Sequence, residues 1–172
     1  LWTFEDTPPQ PSSINGFTLS IGERFCKKYR DDFDMNIIII RPPNIYGPNE
    51  RDGLFYRLIK DGNQKGEITL PDWPDTSCSF LHEEDIFDFV NRAIDDEYTA
   101  ESFVINLSTS KPMKYSDLAN LLLRYYPKVD YSNNERRVVY TRPAYVSAAK
   151  RLYDWYEVHN IATEIEEYID LS

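Results

Sequence analysis

Two spacings organise the apolar positions of this chain. Ile14, Phe17, Ile21, Phe25 and Tyr29 recur every three or four residues, the repeat that gathers side chains on one face of a helix. Ser12 or Ser13 supplies an N-cap for it, and Lys27-Lys28-Tyr29-Arg30 brings cations to the end where the macrodipole favours them. A second stripe runs Asn15, Leu19, Gly22 and Cys26, with the small Gly22 admitting a close neighbour. The contrasting pattern is Asn36-Ile37-Ile38-Ile39-Ile40, a β-branched run with no polar alternation. Such a run predicts a strand buried on both faces, as in the interior of a parallel sheet. Pro42 and Pro43 have no N–H for a ladder, so the strand stops there. The loop Arg41 to Pro48 therefore lies beyond the carboxyl end of a central strand, where open α/β sheets bind their ligands.

The remainder alternates in the same way. Leu54 to Ile59 reads as a helix with Phe55 and Leu58 inward, ended by Gly62-Asn63. Ile68-Thr69-Leu70 is a short strand, Pro71 to Asp75 a loop, and Ser77 to His82 another strand. Glu83-Glu84-Asp85 places three carboxylates in the first turn of a helix whose inner face is Ile86, Phe89, Val90 and Ala93. A strand over 103–107, a helix from Tyr115 with Leu118, Leu121, Leu122 and Tyr125 inward, and a strand over 137–140 follow. Helices over 148–155 and 161–169 close the chain. Alternating strands and helices predict an α/β fold.

Composition narrows the function. With 172 residues and 41% hydrophobic content, the chain suits one globular unit. Net charge is −10, from 29 acidic against 19 basic residues, which disfavours nucleic acid as a partner. No apolar stretch reaches the length of a membrane span, and no signal-peptide pattern opens the chain. Cys26 and Cys78 lack metal-type spacing, so reduced thiols in a cytoplasmic protein are expected. Leu1 opens without Met and runs into a Pro-rich loop, as in a fragment cut from a larger protein or a processed chain. His82 beside Glu83, Glu84 and Asp85 marks a helix start rather than a metal site, and His159 stands by itself near the C-terminus.

Five landmarks in order carry a resemblance. They are Glu5-Asp6-Thr7-Pro8-Pro9-Gln10-Pro11; Asn15-Gly16-Phe17-Thr18-Leu19-Ser20-Ile21-Gly22-Glu23; Arg41 to Pro48; Phe80-Leu81-His82-Glu83-Glu84-Asp85-Ile86; and Arg142-Pro143 followed by Lys150 and Tyr153-Asp154-Trp155. Together they resemble the C-terminal half of the extended short-chain dehydrogenase/reductase family, nearest its NAD-dependent nucleotide-sugar epimerases and dehydratases. The resemblance implies the last parallel strands of a Rossmann-like sheet plus a small substrate-binding lobe. Residues 1–48 would be the end of the sheet with the catalytic helix, and 49–172 the lobe with interleaved sheet strands. It also implies a cofactor-side role for Pro42 and Pro43, and substrate-side roles at Asn44, Cys78 and Arg142. Cys78 stands where many members carry an Arg that grips the nucleotide diphosphate.

The departures set the functional expectation. The family uses a Tyr four residues before a Lys, one helix face presenting a phenol and the ammonium that lowers its pKa. Asn15 and Leu19 occupy those positions, and no Tyr-x-x-x-Lys occurs in the segment. An amide takes no proton at neutral pH, and losing a positioned base typically costs about 10²–10⁴ in rate. None of the six glycines forms Gly-x-Gly-x-x-Gly, so the pyrophosphate cradle is not in this chain. The expectation is a nucleotide-sugar-binding half without turnover. NAD or NADP would belong to the full-length protein and would not bind this chain tightly. Three alternatives stand beside it: an active full-length enzyme, a homodimer, and a heterodimer with an active paralogue through helix 13–29.

Overall fold

Strands and helices alternate through the computed structural model, which describes residues 3–70, 74–95, 104–132 and 144–169. Helix α1 spans Ile14–Phe33, and its cap is Ser13, whose side chain accepts from the Gly16 N–H. Strand β1 (Ile39–Arg41) ends at the two prolines, and β2 (Asn44–Tyr46) begins directly after them. Helix α2 (Leu54–Lys65) leads into β3 (Glu67–Leu70). The strand predicted over Ser77–His82 is two strands, β4 (Ser77–Cys78) and β5 (Phe80–His82), followed at once by α3 (Glu83–Asp95). Strands β6 (Val104–Asn106) and β7 (Met113–Lys114), helix α4 (Tyr115–Leu122) and strand β8 (Lys128–Tyr131) follow. Helices α5 (Ser147–Tyr153) and α6 (Ile161–Ile169) complete the described elements.

The strands pair two by two. β1 lies parallel to β6, β2 to β5 and β3 to β8, while β4 and β7 are antiparallel. At Pro42-Pro43 and at Ser79 the chain passes from one strand pair to another within two residues or fewer, and these seams adjoin through the Asn44 to Phe80 register. One core gathers Tyr46, Phe55, Leu58, Ile68, Leu118, Leu122 and Ile161 from β2, α2, β3, α4 and α6. The other gathers Leu81, Phe89, Ile105, Leu107, Ala149 and Trp155, with Ile38 and Ile40 packed against it. Full burial of one such large side chain contributes about 1.5–3 kcal/mol. Trp155 is fully buried, and its indole N–H donates to the Asp85 carbonyl at 2.9 Å.

Several expectations need correction. The isoleucine run is half-buried rather than sealed, and only Ile39 and Ile40 of it are in strand. Gly62 does not end α2: it lies inside the helix, where an added Cβ would meet the Tyr126 ring at 2.6 Å. The stop is Gly66, at φ 69°, a left-handed cap that glycine adopts without penalty. Gly22 meets no neighbour. Helix α1 buries none of its residues, and Ile14, Phe17 and Phe25 are 88%, 58% and 62% exposed. Strands β2, β7 and β8 were not anticipated, and β2 occupies the middle of the stretch expected as a loop over 41–48, because its backbone pairs with β5 once past the two prolines. The strand expected over 137–140 lies outside the described residues.

Candidate functional site

The prolines stop β1 and deliver the chain to the turn that follows β2. Arg41, the last residue of β1, does not reach into that turn. Its guanidinium forks onto Glu23 of α1, with Nε to Oε1 at 2.8 Å and Nη2 to Oε2 at 2.7 Å. Nη1 donates to the carbonyls of Glu5 and Thr7, so Arg41 fastens both α1 and the Pro-rich entry loop to the sheet. A bidentate, half-buried pair of this kind fixes orientation as well as distance. Pro42 is exposed and Pro43 half-buried at the top of the strand.

Asn44 holds the seam. Its Nδ2 donates to the Ser79 carbonyl at 3.1 Å, and the Ser79 hydroxyl beside it is buried without a partner among the described residues. Tyr46 is fully buried and its hydroxyl donates to Glu164 Oε2 at 2.8 Å. Burial, then the Glu164 carboxylate, push that phenol well above its ordinary pKa. The turn itself is fixed from α3. Glu83 Oε1 accepts from the Asn49 backbone at 3.0 Å and from its Nδ2 at 2.7 Å. Gly47, at φ 156°, is where Glu83 passes, and a Cβ there would stand 2.5 Å from the carboxylate carbon. Nothing in the spacing of the sequence signalled this contact, because Glu83 reads there only as a first-turn acid.

The other predicted residues divide. Asn15 and Leu19 stand one turn apart on α1 and both are exposed, so the face that would present a base presents an amide and a hydrocarbon. Cys78 is buried in the core, and desolvation pushes its thiol up to about 12. As the second residue of β4 it lines a small cavity together with Phe80, Met113, His159 and Ile161. Arg142 lies outside the described residues. His159, expected to stand by itself, instead stacks on His82 with ring centroids 4.0 Å apart.

The six glycines lie in α1, on the loop from β2 to α2 and within and after α2, and none of them forms the Gly-x-Gly-x-x-Gly spacing.

This fold, parallel strand pairs with helices between them and a ligand-side loop after β1, is that of a partial Rossmann-like extended short-chain dehydrogenase/reductase. The family model for the NAD dependent epimerase/dehydratase family matches residues 3–107, and the chain belongs to that family. A Bacillus subtilis (strain 168) protein named as an uncharacterized UDP-glucose epimerase, YtcB, is 39% identical over 67 residues, covering 38% of this chain and 21% of that protein. UDP-glucuronic acid 4-epimerase from Bacillus cereus, solved with UDP-glucuronic acid and NAD, superposes with a TM-score of 0.84 at 23% identity, over 99% of this chain and 55% of that one. dTDP-glucose 4,6-dehydratase from Bacillus anthracis str. Ames, solved with NAD, gives 0.81 at 15% identity, again over 99% and 55%. The chain therefore spans about half the length of these solved structures and a fifth of the curated relative.

Proposed function

We propose that this chain is the nucleotide-sugar-binding portion of an NAD-dependent epimerase/dehydratase-type protein whose proton-transfer step is lost. The observation that carries this reading is the pair Asn15 and Leu19, side by side and exposed on a well-capped helix. The helix is built and fastened by Arg41 and Glu23, so the geometry for a base is kept while the base itself is missing. Asn44, with Pro42 and Pro43 just before it in the chain, supplies the ligand side of this reading, and by the family resemblance Arg142 would add a contact to the diphosphate. Nicotinamide, when bound by a full-length protein, supplies hydride transfer. The residues here then only orient a sugar nucleotide, since neither an amide nor an alkyl chain holds a transferable proton.

The test joins binding to turnover. Calorimetric titration with UDP- and dTDP-sugars is expected to show saturable binding that weakens in Asn44→Ala, with no epimerised or dehydrated product. Product formed at a rate typical of the family would overturn the loss of chemistry. Absence of binding to any sugar nucleotide would overturn the ligand assignment.

A second reading, a non-catalytic assembly partner, is favoured by the exposed apolar stripe of α1. It takes as occupant either a second copy of the chain or an active paralogue.

A further inference from the structure

The chain contains two histidines, and the fold brings them into contact. His82 ends β5, His159 precedes α6, and their rings stack at 4.0 Å with planes 23° apart. His82 Nδ1 accepts from the backbone N–H of Glu84 at 3.2 Å, which places the ring proton on Nε2, 2.6 Å from the Tyr168 hydroxyl. His159 lies between two carboxylates, with Nδ1 3.0 Å from Glu164 Oε1 and Nε2 3.3 Å from Glu84 Oε2. Carboxylates only accept, so the Glu164 contact is a hydrogen bond when Nδ1 carries the ring proton, while Glu84 stands at ion-pair distance from Nε2. Glu164 also receives the Tyr46 hydroxyl, and Tyr46 is the direct cross-strand neighbour of His82.

We infer that the His82–His159 stack is a proton-sensitive clasp, which holds α6 against the Tyr46–His82 rung while the His82 ring is neutral and releases it when His82 takes a second ring proton. A proton at His82 Nδ1 would face the Glu84 N–H, donor against donor, and would set two cations face to face. Around the pair stand Tyr46 of β2, Glu83, Glu84 and Asp85 of α3, Glu164, Glu167 and Tyr168 of α6, and Lys111 on the loop before β7. The carboxylates favour the extra proton. Burial, foremost, and then the positive charge of His159 oppose it, and the net result is a His82 pKa below its ordinary value. A base whose folded pKa is depressed binds fewer protons folded than unfolded. The stabilisation is therefore present above the ordinary histidine value of about 6.5 and drains away as the pH falls through it. Asp85 is turned the other way: its carboxylate accepts from the Val158 and His159 backbones, and burial raises its pKa.

A proton suits this cluster better than a metal ion. His82, bonded through Nδ1 and protonated on Nε2, keeps no lone pair for a ligand bond. The near-parallel rings also direct their in-plane lone pairs side by side rather than to one point. The inference is independent of what the loop at Asn44 binds.

Hydrogen exchange across residues 161–169, corrected for the intrinsic pH dependence of the chemistry, tests the clasp about one unit above and below the ordinary histidine value. Wild-type α6 is expected to lose protection severalfold on the acid side, while His82→Gln, which keeps an acceptor and a donor but does not titrate, is expected to change little. An equal acid-side loss in both proteins, or no loss in wild type, would overturn the proposal. Should the variant not fold, the histidine ring resonances of wild type decide. A His82 midpoint displaced downward is expected; a His82 midpoint at the free-imidazole value would refute the clasp.

Discussion

At the scale of single residues, the turn after β2 depends on one close approach. Gly47 leaves room for Glu83, which in turn holds Asn49 by two hydrogen bonds. Gly47→Ala adds a methyl group to that path and a side chain to a backbone conformation such residues rarely adopt. It is expected to destabilise by about 1–3 kcal/mol in urea unfolding. Because the clash is with Glu83 itself, the same substitution in a Glu83→Ala background should cost less, and additive losses would sink that account. The thiols give a second residue-scale prediction. Cys78 is sealed in the core with its pKa pushed up to about 12, whereas Cys26 is half-buried on α1. Alkylation of the native protein at mildly alkaline pH should modify Cys26 first, with Cys78 reacting on the timescale of unfolding. Fast modification of both would contradict the burial.

At the scale of elements, α1 differs from the other long helices. Its hydrophobic repeat was legible from the sequence, and so were its cap at Ser13 and its cationic end. Its environment was not, because periodicity says which residues share a face and not what covers the face. Here Ile14, Phe17 and Phe25 remain exposed, and the Arg41–Glu23 fork is the described ion pair that ties the helix to the sheet. A stripe of this kind rarely stays in water. Sedimentation should therefore show concentration-dependent association that Phe17→Glu with Phe25→Glu abolishes, and a monomer at every concentration would count against the assembly reading. Other boundaries were misread for local reasons. Two glycines close to the end of α2 compete for the stop, and only the left-handed backbone at Gly66 distinguishes them. Strand β8 has four residues directly after Pro127, too short a pattern to read, yet it pairs with β3 over its full length. Asp154 shows the reverse: its φ of 47° gives a left-handed, glycine-like helix end without a glycine to announce it.

At the scale of the molecule, the α/β class and the order of landmarks were readable because they depend on local spacing. The contacts that assemble the site were not. Glu83 to Asn49, Tyr46 to Glu164 and His82 to His159 join positions far apart in the chain, and no repeat encodes them. The six glycines are likewise distributed over helices, caps and one turn, and none stands in a Gly-x-Gly-x-x-Gly fingerprint. Titration of this chain with NAD is accordingly expected to give no saturable binding, while a protein that adds a glycine-fingerprint half should bind it. Tight binding by this chain would require a cradle other than the family's.

Trp155 carries a practical consequence. Its indole is wholly enclosed, edge-on to Phe89 at 6.1 Å, with its N–H tied to the Asp85 carbonyl directly beneath the first turn of α3. An indole in that setting emits to the blue and shifts to the red when water arrives. The protein thus carries an intrinsic optical gauge of its second core, readable without any label.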